Sequence, residues 1–253
     1  MNIETSASEA VQPPAGARDA EGSLTISARG VSKRYHSVMA LHPLDLDIRR
    51  GEVFCLLGPN GSGKSSFIRM LAGYLTPSSG SISVCGHDVV TDGLAARRLI
   101  GYVPERVPLY NFMRVGEFLR FAGRLRGVEE QHVGREVARV VDLLALGDVV
   151  GKPIRTLSRG YRQRTALAQA LVHDPEILIL DEPTNGLDPR QIMETRALIR
   201  TLAGRCTVLM TSHILSEVEK TAHRVGLLLH GKLLGVRAIA ETPNLEAWFL
   251  SVT

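Results

Sequence analysis

Val53-Phe54-Cys55-Leu56-Leu57-Gly58-Pro59-Asn60-Gly61-Ser62-Gly63-Lys64-Ser65-Ser66 decides the fold. Its first five residues are all apolar and suit a strand buried on both faces, as in a parallel sheet. The next eight match GxxxxGK[ST], lodged between that strand and a helix predicted over 65–73. In this context the glycines let successive backbone N–H groups point inward as an anion nest. The helix N-terminus adds partial positive charge. Lys64 is placed to reach β- and γ-phosphates. The Ser65 hydroxyl is placed to bind Mg²⁺, with Ser66 next to it. Gly58, Pro59, Asn60, Gly61, Ser62, Gly63, Lys64, Ser65 and Ser66 are therefore the candidate nucleotide-binding residues.

Downstream, Ile177-Leu178-Ile179-Leu180 is a second buried strand ending in Asp181-Glu182. Ligands of open parallel sheets bind at such strand ends. Asp181 can hold Mg²⁺ directly or through a water, and Glu182 can polarise an attacking water. Thr207–Met210 and Val225–Leu229 read as further buried strands. The sequence predicts mostly helix from about 104 to 156, including Val115–Leu125 and Arg135–Leu146, and another helix over Ser158–Val172. Residues 190–203 form an amphipathic helix with Ile192, Leu198, Ile199 and Leu202 on its apolar side. Strands alternating with helices imply a parallel α/β sheet with an inserted helical region. Upstream, Leu24–Ile48 alternates as antiparallel strands do. Pro77–Gly80 is a turn and Gly80–Val84 a short strand.

The chain of 253 residues is 44% hydrophobic and 22% charged, a globular composition that excludes collagenous or disulfide-stapled classes. Cys55, Cys85 and Cys206 have no metal-ligand spacing and read as buried small hydrophobes in a reducing compartment. The longest apolar runs are about five residues, far short of the ~20 a membrane span needs. No secretory signal is expected. Residues 1–28 carry net −3 and residues 97–159 net +5 within an overall +4. That is an acidic tail plus a basic helical region, not a nucleic-acid signature, and the arginine-rich stretch reads mostly as a solvated helical face.

In this order and spacing the motifs resemble the ATP-binding cassette (ABC) ATPase family, over about residues 24–235. Leu157-Ser158-Arg159-Gly160-Tyr161-Arg162-Gln163-Arg164 resembles the family's signature, usually LSGGQ with a basic tail; Arg159 and Tyr161 depart from it. The LSxGYRQR form is similar to that of exporter-type cassettes. Asn185-Gly186-Leu187-Asp188 resembles the D-loop, and Thr211-Ser212-His213 the switch region, with His213 as γ-phosphate sensor. Tyr35 lies where the family often stacks an aromatic on adenine. Gly101-Tyr102-Val103-Pro104-Glu105 resembles the Q-loop with Glu in place of Gln. Glu105 keeps an acceptor for water or Mg²⁺ and loses the amide donor. Arg159 is either a solvated charge or a grip on a partner's phosphate.

The resemblance implies an α/β P-loop NTPase (RecA-like) core with an antiparallel β subdomain and an inserted α-helical subdomain at about 104–172. A disordered tail at 1–23 and a short helical segment at 236–253 flank it. In that segment Trp248 and Phe249 either pack on the lobe or form a dimer contact. The resemblance also implies ATP and Mg²⁺ as cofactors. The signature residues Ser158, Arg159, Gly160 and Tyr161 work in trans, so one copy of each motif requires an ATP-sandwiched dimer with itself or a similar cassette. The leading reading is the ATPase subunit of an exporter, peripheral on the cytoplasmic face through a separate integral membrane permease. That permease would seat a helix on a groove floored by Glu105–Phe112, where Tyr110, Phe112 and Met113 are either contacts or core. The alternative is a soluble single-cassette ATPase in a non-transport assembly process. Neither reading involves nucleic acid.

Overall fold

Alternation of side chains along the central strands organises the whole molecule. β1 (Leu24–Tyr35) and β2 (Val38–Arg49) form a long antiparallel pair, followed by β3 (Val53–Leu57), α1 (Lys64–Leu71), β4 (Ser79–Val84), β5 (His87–Asp88), α2 (Gly93–Arg98) and β6 (Ile100–Val103). Three helices come next: α3 (Val115–Leu125), α4 (Glu130–Leu143) and α5 (Arg159–Leu171). The chain then returns through β7 (Ile177–Leu180), α6 (Pro189–Leu202), β8 (Thr207–Ser212), α7 (Leu215–Thr221), β9 (Arg224–Leu229), β10 (Lys232–Ala238) and α8 (Leu245–Val252). This computed structural model describes residues 23–242 and 244–252. Of the tail expected over 1–23, residues 1–22 lie outside the described residues, as do Pro243 and Thr253.

The strands make two sheets. One is antiparallel in the order β2-β1-β4-β5, and the other runs β10-β9-β3-β8-β7-β6. The four pairings among β3, β6, β7, β8 and β9 are parallel, while β10 returns antiparallel to β9. In β3, Phe54 and Leu56 face a core shared with α1 and the antiparallel sheet, and Val53, Cys55 and Leu57 face a core shared with α3–α6. In β7, Ile177 and Ile179 take the first side and Leu178 and Leu180 the second. A strand that feeds two cores has no polar position, which is why both runs are continuously apolar. α1 buries Phe67, Ile68, Met70 and Leu71 against the first core. Each such side chain contributes about 1.5–3 kcal/mol on leaving water.

The region between β6 and β7 is less helical than expected. Only α3 and α4, with two 3₁₀ turns at Gly147–Val149 and Ile154–Thr156, lie between residues 104 and 156. Pro104, Pro108 and Pro153 interrupt it, each lacking an N–H for a helical ladder. α4 also starts earlier and ends earlier than the expected 135–146 span. α3 matches its expected bounds and opens with Arg114 N donating to Glu117 Oε2 at 3.1 Å. β5, β6, β10 and α2 were not legible as elements, being very short or half-exposed. At the C-terminus, α8 buries Leu245 and lays Trp248 and Phe249 against the core, so packing on the lobe is the arrangement adopted. Among the described residues no helix is long and apolar enough to cross a membrane.

Candidate nucleotide-binding site

Parallel strands end on one edge of their sheet, and four sequence motifs therefore meet there. β3 delivers Gly58–Ser65, β7 delivers Asp181 and Glu182, β8 delivers His213, and β6 delivers Glu105. Register pairs Leu57 with Ser212, Leu180 with Met210 and Val103 with Leu180. A cleft of about 410 Å³ opens at this edge, lined by Ala40, Asn60–Ser66, Glu105, Glu182, Asn185 and His213.

The loop is pinned to the fold at both ends. Gly58 N donates to Ser212 O at 3.1 Å, and Gly231 N donates to Ser62 O at 3.0 Å. Gly63, with φ +106, precedes α1, and a Cβ there would come within 2.8 Å of Ala40 O. Only glycine meets both demands. Lys64 is 5% exposed. Its ammonium donates to Gly58 O at 2.6 Å and Pro59 O at 3.1 Å, and stands 3.4 Å from Glu182 Oε1. Among the described residues, Ser62 Oγ and Glu182 Oε1 are buried with no hydrogen-bond partner, Glu182 Oε1 standing beside the Lys64 charge. Those unsatisfied atoms, facing a nest of amides, fit a phosphate ligand and its solvation. Tyr35 stands at the rim, half-exposed, its hydroxyl 3.4 Å from Ser66 Oγ and its ring 5.4 Å from Lys33 Nζ.

The acid pair is set by two residues of the switch region, Thr211 and His213. Thr211 Oγ1 donates to Asp181 Oδ1 at 2.8 Å and accepts from Glu182 N at 2.9 Å. Glu182 sits at φ +50, a left-handed conformation uncommon for glutamate that costs of order 1–3 kcal/mol and persists only where neighbours impose it. Its Oε2 lies 2.9 Å from His213 Nδ1. A carboxylate only accepts, so Nδ1 is the donor of this contact. The site also perturbs its buried neighbours. Burial, and then the Asp181 charge, pushes the Tyr102 phenol up to about 12. Burial and the Glu182 charge push the Cys55 thiol far above the usual range.

Ser65, Asp181 and Glu105 offer hydroxyl and carboxylate oxygens, the hard donors that suit Mg²⁺. Ser65 and Glu105 line the cleft itself, and Asp181 lines the adjoining one with Glu105 and Glu182. The signature residues lie elsewhere: none of 158–161 is among the described residues lining the cleft. Ser158 caps α5, accepting from Tyr161 N at 3.4 Å, while Tyr161 is half-buried against the core. Gly160 abuts the Gln191 side chain. Asp188 caps α6 through Gln191 N at 2.9 Å.

A phosphate loop between β3 and α1, with acids at the end of β7 on the same sheet edge, makes this chain a P-loop NTPase. Residues 41–185 match the ABC transporter family, and the chain belongs to it. It is 37% identical over 219 residues to the uncharacterized ABC transporter ATP-binding protein YhcH of Bacillus subtilis, covering 85% of this chain and 70% of that one. It is 36% identical over 214 residues to the bacitracin transport ATP-binding protein BcrA of Bacillus licheniformis, covering 84% and 69%. Among solved structures, cbiO1 of Clostridium perfringens, part of the ABC transporter complex cbiONQ, superposes with TM-score 0.81 at 26% identity over 92% of this chain and 95% of that one. The domain thus binds ATP.

Proposed function

We infer that this chain is the ATP-hydrolysing subunit of an ABC exporter, working as an ATP-sandwiched dimer that drives a separate membrane permease. The observation that carries the reading is convergence: the Lys64 ammonium and His213 imidazole flank the two oxygens of Glu182 in one cleft, at 3.4 and 2.9 Å. Backbone amides of 60–64 hold the phosphates, and Lys64 leaves Glu182 for the β- and γ-oxygens. Tyr35 offers its ring to adenine. Glu182 accepts a proton as water oxygen bonds to the γ-phosphorus and the bond to the bridging oxygen breaks, giving ADP and phosphate. His213 holds Glu182 through Nδ1 and senses the γ-phosphate. Ser65, Asp181 and Glu105 would hold Mg²⁺, which supplies charge neutralisation on the phosphates. Ser158 and Gly160, at the N-terminus of α5, serve the partner's γ-phosphate. The catalytic unit spans 24–235, with 104–172 as the helical insert.

A second cleft, about 540 Å³, lies between this insert and the sheet, lined by Tyr74, Tyr102, Tyr110, Phe118 and Phe121 with Arg69 and Arg126 at its edge. It is the place for a permease helix and would hold the subunit at the cytoplasmic face of the membrane. Tyr110 is 52% exposed and packs edge-on to Phe118 at 5.8 Å, and Phe112 is 88% exposed, whereas Met113 is packed into the core. Support for export comes from the LSxGYRQR form and from the bacitracin-transport relative. Mild detergent extraction tests the reading: the tagged chain should co-purify with an integral membrane protein and turn over ATP. Turnover without any membrane partner would instead favour a soluble assembly ATPase.

A further inference from the structure

Helix α5 grips the loop after the acidic strand end at two carbonyls. Arg159 Nη2 donates to Asn185 O at 2.7 Å, and Gln163 Nε2 donates to Pro183 O at 3.2 Å. The two residues are four apart and share one helix face. The Arg159 guanidinium also lies close against Gly186, where φ is +66 and an added Cβ would collide with it. The loop transmits that grip inward: Asn185 N donates to Glu182 O at 3.1 Å, and Asn185 Nδ2 donates to Glu105 Oε1 at 3.2 Å.

An arginine at the first position of α5 opposes the helix dipole, which favours anions at that end. Capping therefore does not account for it, while a carbonyl 26 residues downstream does. We propose that Arg159 is a positioning residue: it latches the 183–186 loop, and with it Glu182, to the signature helix of its own chain. The proposal rests on the reading of Glu182 as base and of Ser158 and Gly160 as acting in trans. The base of one site and the phosphate grip of the opposite site then move as one body within each subunit. A γ-phosphate seated on Ser158 and Gly160 is felt at Glu182 of the same chain, whose left-handed backbone needs such holding. Arg159 spends its charge in cis, not on the partner's phosphate.

The test begins with hydrogen exchange on the full chain without nucleotide. The Arg159 side chain is exposed, so Arg159→Gln should fold. Amides of 184–188 should exchange about five-fold faster in Arg159→Gln, the loss of one hydrogen bond. Those of α1 should be unchanged, and Arg159→Lys, which retains a donor, should restore most of the protection. In turnover, Arg159→Gln should lower kcat roughly ten-fold with KM within about two-fold, again recovered by lysine. In a Glu182→Gln background, Arg159→Gln should leave ATP-driven dimerisation within about two-fold. Unchanged exchange at 184–188 overturns the latch, as does a large loss of dimer affinity. A wild-type chain that hydrolyses no ATP would overturn the functional reading and leave the exchange result to decide the latch separately.

Discussion

His213 Nδ1 and Glu182 Oε2 are 2.9 Å apart, so the last residues of two neighbouring strand-end loops are already joined. The carboxylate is thereby aimed by one neighbour and charge-balanced by another, Lys64. Glu182→Gln keeps the shape and removes the base. Turnover should fall at least ~100-fold while ATP binding persists and the dimer accumulates on size-exclusion chromatography. Near-normal hydrolysis would remove Glu182 from its role.

Lys64 tests ground-state binding. Its ammonium is buried among two carbonyls and a carboxylate, so no water replaces it in recognising phosphate. Lys64→Ala should weaken ATP binding about 10- to 100-fold, the loss of a charge-assisted contact. Calorimetric titration with a non-hydrolysable analogue reads this directly. An unchanged Kd would mean that the amides alone carry the phosphates.

Local signals explain what the sequence disclosed. The apolar run 53–57, the glycine pattern 58–65 and the strand ending in Asp181-Glu182 are each contiguous, and each stands where its motif requires. Contacts across the sheet are different. Thr211 reaches Glu182 N over 29 residues and Gln163 reaches Pro183 O over 20, and no period or spacing reports such pairs. Thr211 belongs to the stretch that resembles the switch region, but the resemblance assigns its hydroxyl no partner. β10 was hidden for another reason. Its hairpin turns through His230 at φ 48 and Gly231 at φ 74, and histidine is not a usual residue for the first of two left-handed positions. Gly235 then shifts the register, so alternation gives no clean face.

Thr211 makes two of these contacts across the sheet. Thr211→Val preserves volume and deletes the hydroxyl shared by Asp181 Oδ1 and Glu182 N. Two buried groups lose a partner, at roughly 1–3 kcal/mol each where water cannot enter. The melting temperature should drop by several degrees, and kcat should fall more than ATP affinity, because the Lys64 contacts are untouched. Equal wild-type and variant kcat would show that Glu182 does not need this support.

His173 gives the fold a pH dependence away from the cleft. It follows α5, and its Nε2 lies 3.2 Å from Ile100 O, so Nε2 carries the proton of the neutral ring. Burial, and then the Arg126 charge, pushes its pKa down to about 4 from 6.5, with Asp174 and the Ile100 carbonyl opposing and Arg139 reinforcing. The unfolded chain therefore binds this proton before the folded one does. Stability is full above about pH 6.5 and declines as pH falls toward 4, by at most about 3 kcal/mol from this group. His173→Gln keeps a donor for Ile100 O and removes the titration. Between pH 7.5 and pH 5 the urea midpoint should fall less in the variant than in wild type. Parallel losses across that range would show that carboxylates elsewhere govern the acid limit.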